Sequence, residues 1–157
     1  MIKKTQILLL ILGLMACDSS RIFEKNISIN QNVWGLSQTP TFQFQNTDTI
    51  ANANLFLNIR HTSQYPFSNL WTFVNTTSPK GSTSIDTIEC VLAQKDGKWL
   101  GSGLGDIWDF QTKIGTIQLE EIGLYNFKVE QAMRHGNLAK IENLPGVMEV
   151  GLRIEYQ

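Results

Sequence analysis

The sequence predicts an all-β chain: one antiparallel β-sandwich of immunoglobulin-like or jelly-roll type with about eight strands. Three observations carry that expectation. Apolar residues recur with period two over short stretches, the spacing that lines one face of a strand. Turn formers separate these stretches, at Tyr65-Pro66, Ser78-Pro79-Lys80-Gly81, Asp96-Gly97 and Leu144-Pro145-Gly146. Charged side chains are only 17% of the 157 residues, and Asn, Gln, Ser, Thr and Gly are plentiful. That composition is common in secreted β-proteins and unlike a coiled coil or a disordered chain.

The N-terminus comes first. Lys3 and Lys4 precede an apolar run from Ile7 to Leu12 that continues through Gly13, Leu14, Met15 and Ala16 to Cys17. A charged segment, a short apolar segment and small residues before a processing point make a secretion signal. The run is about half of the ~20 residues a membrane-spanning helix needs, so it targets rather than spans. Leu14-Met15-Ala16-Cys17 resembles the lipobox of bacterial lipoproteins, in which cleavage precedes the cysteine and lipid is joined to its sulfur; only Met15 is an unusual choice. Residues 1–16 are therefore read as signal peptide, 17–26 as a lipidated tether and 27–157 as the sandwich domain. Two or more acyl chains hold such a protein on a bilayer without a further membrane helix.

Removing the signal leaves 157 less 16, or 141 residues, a natural single-domain size. Eleven basic side chains then face 14 acidic ones, a formal charge of −3. With no basic excess, nucleic acid is not an expected partner. With Cys17 consumed as a thioether, Cys90 has no intramolecular partner. It stands in the alternation Ile88, Cys90, Leu92, which places it in the core as an inert thiol.

Strands are expected in order along the chain. The first two run around Ile27 to Trp34 and Phe42 to Gln45. Leu55, Leu57 and Ile59 share the inner face of the third, against Phe56, Asn58 and Arg60. Leu70, Thr72 and Val74 alternate with Trp71 and Phe73, and Ile85 to Ala93 follow. Asp96-Gly97 then turns a hairpin towards Trp99 and Leu100. Gly101, Ser102, Gly103, Leu104 and Gly105 suggest a loop; the dinucleotide fingerprint fails because position 106 is Asp106. Ile114 to Leu119 give another strand. Over Val129 to Arg134 good helix formers compete, but alternation running in from Tyr125, Phe127, Val129 and Gln131 favours strand. Residues 136–148, with Pro145, read as a loop with room for one helical turn, and Val150, Leu152, Ile154 and Tyr156 close the chain as a strand.

Chemistry is sparsely supplied. The histidines, His61 and His135, each follow an arginine and read as strand-end surface residues. Asp106, Asp109 and Asp96 could offer oxygens to Ca²⁺, yet their spacing is not that of an EF-hand. Glu120 and Glu121 would point to opposite faces of a strand and cannot pair for acid-base work. No nucleophile elbow, HExxH pair or P-loop is present. The expectation is a non-enzyme with no cofactor, no metal and no small-molecule substrate. The aromatic residues Tyr65, Phe67, Trp71, Trp99 and Trp108 are mostly core material, and those left exposed would form a partner surface.

Several stretches resemble one family: FEKN at 23–26, NIRHTSQYPFSNLW at 58–71, DTIECVLAQKDGKWLGSGLGDIWD at 86–109, FKVEQAMR at 127–134 and VGLRIE at 150–155. With the lipobox, they make the chain similar to the GldH gliding-motility lipoproteins of Bacteroidetes over nearly its whole mature length. The resemblance implies a role in surface gliding beside other gliding lipoproteins and the type IX secretion machinery, without catalysis, and only Cys17 carries over as a functional position. Asp18 directly after the cysteine would favour inner-membrane retention under enterobacterial-type sorting, a rule that does not carry to this phylum, so the expectation is an outer-membrane anchor facing the periplasm. Residues 58–71 and 95–109 are the segments expected to hold the partner surface. Asp48-Thr49-Ile50 and Asp86-Thr87-Ile88 each match a short O-glycosylation pattern of such bacteria, which would modify Thr49 and Thr87. The rival reading is a carbohydrate-binding envelope lipoprotein, which would need Trp71, Trp99 or Trp108 exposed and coplanar. A lipoprotein hydrolase ranks last because histidines are scarce.

Overall fold

The computed structural model describes residues 19–137 and 139–157, so the signal segment and Cys17 lie outside it. Eleven strands and no α-helix occur among the described residues. Eight strands are six residues or longer: β1 (Arg21–Ser28), β3 (Thr41–Asn46), β4 (Ile50–Thr62), β5 (Asn69–Thr77), β6 (Thr83–Val91), β8 (Ile107–Leu119), β9 (Gly123–Gln131) and β11 (Val147–Tyr156). Three are three-residue pieces: β2 (Val33–Gly35), β7 (Ser102–Leu104) and β10 (Asn143–Pro145).

They form two antiparallel sheets, β1-β11-β4-β8-β7 and β3-β9-β5-β6, with a small β10-β2 ribbon. The period-two alternation becomes the core directly. Leu55, Leu57 and Ile59 of β4 and Val150, Leu152 and Ile154 of β11 point inward from the first sheet. Phe42 and Phe44 of β3, Leu70 and Val74 of β5, and Tyr125, Phe127 and Val129 of β9 meet them from the second. Phe23 and Phe44 join the sheets ring to ring at 5.6 Å. Trp34 and Leu144, opposite each other in the ribbon, are both fully buried and close one end of the sandwich; Trp34 Nε1 donates to the Gln38 carbonyl at 2.8 Å. Cys90 is buried and free, and loss of hydration pushes its thiol up to about 12.

Four sequence expectations need correction. The tether does not run to residue 26: Arg21–Ser28 pairs with β11 as an edge strand. A register shift between Arg21 and Phe23 breaks its alternation, which is why Ile22 and Phe23 both pack on the core and no period-two signal appears. The strand expected over 27–34 is interrupted at Asn30–Asn32, a 3-10 turn in which Gln31 and Asn32 take positive φ of 54° and 57°. The glycine-rich 101–105 segment is not a free loop, since Ser102–Leu104 pairs with Ile107–Asp109. Within 136–148, Asn143–Pro145 is extended against Val33–Gly35.

Candidate functional site

One concave apolar surface lies on the outer face of the four-stranded sheet. Strand alternation builds its floor: β5 turns Leu70, Thr72 and Val74 inward, so Trp71 and Phe73 face out. Across the ladder, Trp71 stands opposite Glu89 and Phe73 opposite Thr87 on β6. The wall comes from the segment after β9. Gln131, almost fully buried, donates to the Ile141 carbonyl at 2.5 Å and accepts from the Met133 amide at 3.0 Å. The Ala132 amide donates to the Trp71 carbonyl at 2.8 Å, and the Trp71 amide donates to Met133 Sδ at 3.2 Å. These bonds hold Met133, Arg134 and His135 beside β5. Phe67 closes the far side, its ring 5.7 Å from that of His135. The groove measures about 440 Å³ and is lined by Phe67, Trp71, Phe73, Met133 and His135, with Asn69, Thr87 and Arg134 at its rim. Trp71 remains 38% exposed, and Asn69 Nδ2 donates to Glu89 Oε1 at 2.6 Å.

β6 borders this groove and, among the described residues, pairs only with β5, in nine unbroken registers from Asn69↔Val91 to Thr77↔Thr83. It carries no lysine, proline or bulge that would blunt its free edge. Ile85 and Val91 on it are 68% and 49% exposed.

The five aromatic residues expected at a partner surface do not stay together. Phe67 and Trp71 meet in the groove. Tyr65 is a core residue at 3% exposure, with its hydroxyl donating to the Asn69 carbonyl at 2.8 Å and its phenol pKa raised by burial. Trp99 is half-buried, its centroid 4.6 Å from the ring of His61 in an edge contact. Trp108, on β8, is half-buried where a Cβ on Gly103 would stand: the ring lies 2.6 Å from that position. Thus Tyr65 belongs to the core and not to a partner surface, and Trp99 and Trp108 lie outside the groove.

His61 is corrected too. It is fully buried, pairs in register with Trp108, and packs against Tyr65 and Trp99. Nδ1 bonds the Thr62 carbonyl at 3.1 Å, whereas Nε2 is buried without a hydrogen-bond partner. Burial lowers its pKa, against smaller opposing effects of the Thr62 bond and the Asp109 charge. His135 sits exposed on the groove wall. The aspartates considered for Ca²⁺ are each engaged locally: Asp109 with Arg60 at 2.6 Å, Asp106 with the Ser63 hydroxyl at 3.3 Å, and Asp96 with the Lys98 amide at 3.1 Å. Thr49 is exposed in the β3–β4 connection and Thr87 is exposed on β6.

A second concavity, about 310 Å³, lies on the outer face of the five-stranded sheet. There Arg60 bridges Asp109 and Glu149, and Glu24 accepts from Asn58 and Arg153. Its charges are matched within the sheet, so the apolar groove is the stronger candidate for a partner.

Sequence reasoning placed Phe73 in the aromatic stretch without carrying it into the partner surface, and missed Met133 and His135 as groove residues. Phe73 was legible, two residues after Trp71 on one strand. Met133 and His135 were not, because only the Gln131 clamp and the β9–β5 pairing bring them there.

The family model described as GldH lipoprotein matches residues 21–154. The chain is 35% identical over 161 residues to the "Gliding motility lipoprotein GldH" of Flavobacterium johnsoniae, covering 99% of this chain and 98% of that protein. It is 32% identical over 142 residues to the "Gliding motility lipoprotein GldH homolog" of Christiangramia forsetii, covering 89% and 86%. Among solved structures, the VP2 subviral particle of infectious bursal disease virus overlaps 90% of this chain and 34% of its own, at 15% identity and a TM-score of 0.32.

Proposed function

We propose, from the premise that this chain belongs to the GldH lipoprotein family, that it serves gliding motility as a non-catalytic binding module whose partner docks in the Phe67–Trp71–Phe73 groove. The family makes it a lipid-anchored protein of the cell envelope. The finer reading is that lipid on Cys17 holds it at the outer membrane facing the periplasm. There it engages another gliding lipoprotein or a type IX secretion component, with no cofactor and no small-molecule substrate.

The groove is the observation that carries this reading. A partly exposed tryptophan flanked by two phenylalanines and a methionine has the composition of a protein-interface anchor. Its position beside the unpaired edge of β6 favours a polypeptide, which can satisfy free backbone donors and acceptors there. The carbohydrate reading is weaker, because it needs several exposed, coplanar tryptophans and Trp99 and Trp108 lie half-buried elsewhere.

The test replaces Phe67 and Trp71 together by serine in the full-length lipoprotein. Trp71 faces outward, whereas Phe67 is half-buried and its ring packs on Tyr65 at 5.9 Å, so the melting temperature should fall by several degrees with the sandwich still folded. Colony spreading should drop to the level of a deletion strain, with type IX cargo secretion reduced alongside. Normal spreading by a folded, membrane-held double variant would exclude the groove.

A further inference from the structure

We infer that the sandwich stands end-on against the bilayer, with the β8–β9 turn at Ile122 touching the lipid surface and the β7–β8 hairpin at Leu104 pointing away. The inference rests on Cys17 as the lipidated residue and goes beyond it by assigning which end of the domain meets the membrane.

Chain length fixes the end. The Ser20 carbonyl already accepts the Tyr156 amide at 2.8 Å, and β1 begins at Arg21. From Cys17 to Ser20 is three residues, which reach at most about 10 Å when extended. A domain attached so closely presents the end where β1 starts. The register says what else is there: Arg21 lies opposite Glu155, Tyr156 opposite Ala53, Ile50 opposite Leu119, and Asn46 opposite Gly123. The connections 47–49, 78–82 and 120–122 therefore share this end. They are tied together: Asn46 Nδ2 donates to the Leu119 and Glu121 carbonyls at 3.1 and 3.0 Å, and the Lys80 amide donates to Glu121 Oε2 at 2.9 Å.

This end is not purely polar. Ile122 is 65% exposed at the tip of its turn and Tyr156 is 55% exposed beside the tether. An isoleucine at a turn tip and a tyrosine beside it suit the boundary between headgroups and acyl chains. The charges there are Asp48, Glu120, Glu121 and Glu155 against Arg21 and Lys80; Arg21 pairs with Glu24 at 3.2 Å, and Lys80 Nζ is 3.9 Å from Glu121. With no basic cluster, the contact is apolar and should depend little on anionic lipid or salt. β8 runs 13 residues from one end to the other, roughly 40 Å at the usual rise of a strand. The groove begins at the far end, where β5 starts, and is thereby held clear of the lipid surface.

The test uses the full-length lipidated protein in phosphatidylethanolamine–phosphatidylglycerol vesicles carrying lipid-bound quenchers. An environment-sensitive dye is attached to Ile122→Cys or, separately, to Leu104→Cys; Cys90, buried and protonated, does not compete for label. The dye at 122 should shift to the blue and be quenched at least several-fold more than the dye at 104, with no change when phosphatidylglycerol is omitted. Equal quenching at both sites, or stronger quenching at 104, overturns the orientation while the protein still floats with the vesicles. Failure to float, with Cys17 unmodified by mass spectrometry, overturns the anchor and the orientation with it.

Discussion

Among the described residues His61 has no charged partner in contact, and its Nε2 is buried without a hydrogen bond. Its surroundings are Tyr65 and Trp99, the Thr62 carbonyl at Nδ1, and the more distant charge of Asp109. Burial favours the neutral ring, so the folded-state pKa lies below the ordinary value of about 6.5 held by the unfolded chain. Protons then bind the unfolded state preferentially in the window below that value. The stability His61 contributes is complete above about pH 6.5 and is lost as pH falls through the window towards the lowered folded value. Thermal melts between pH 7.5 and 5 should therefore show a falling melting temperature in the wild type and a flatter profile in His61→Leu. Equal slopes would place the titration elsewhere. The burial itself was readable from spacing: His61 continues the inward series Leu55, Leu57, Ile59, although Arg60 beside it suggested a strand end.

At the scale of elements, strands with clean alternation were legible and strands with irregular register were not. β4, β5, β9 and β11 each bury every second residue along most of their length, so spacing alone located them. β1 was hidden by its register shift, and β7 by its glycines. The Asp96-Gly97 turn is as expected: the Gly97 amide donates to the Gln94 carbonyl at 2.9 Å, with Gly97 at φ 85°. β7 has a different explanation. Gly103 is opposite Trp108, and the indole covers the glycine in place of a side chain. A methyl group there would stand 2.6 to 2.8 Å from ring atoms. Gly103→Ala should cost about 1–3 kcal/mol through displacement of the indole, read as a lower melting temperature and altered tryptophan fluorescence. An unchanged melt would mean that the ring moves aside freely. Half of the candidate site follows the same logic: Trp71 and Phe73 came from alternation, while the wall at Met133 and His135 depends on contacts about 60 residues apart in sequence, as in the bond from the Trp71 amide to Met133.

On the proposed reading, the whole molecule separates an anchored end from a binding face. Membership of the GldH lipoprotein family supplies the role in motility and the lipid anchor; under the proposal above, the sandwich would be the spacer between anchor and groove. In such an arrangement the anchor acts by confining the groove to a layer near the membrane, which raises its effective concentration towards partners held there. A freely diffusing domain would keep the same groove and lose that advantage. The most direct measurement is colony spreading by a deletion strain complemented with either the wild-type chain or Cys17→Ala, with both proteins confirmed as exported in equal amount. Spreading restored by the wild type alone is the predicted result. Full spreading with the unlipidated protein, or normal gliding by the uncomplemented deletion strain, would contradict an anchored binding module.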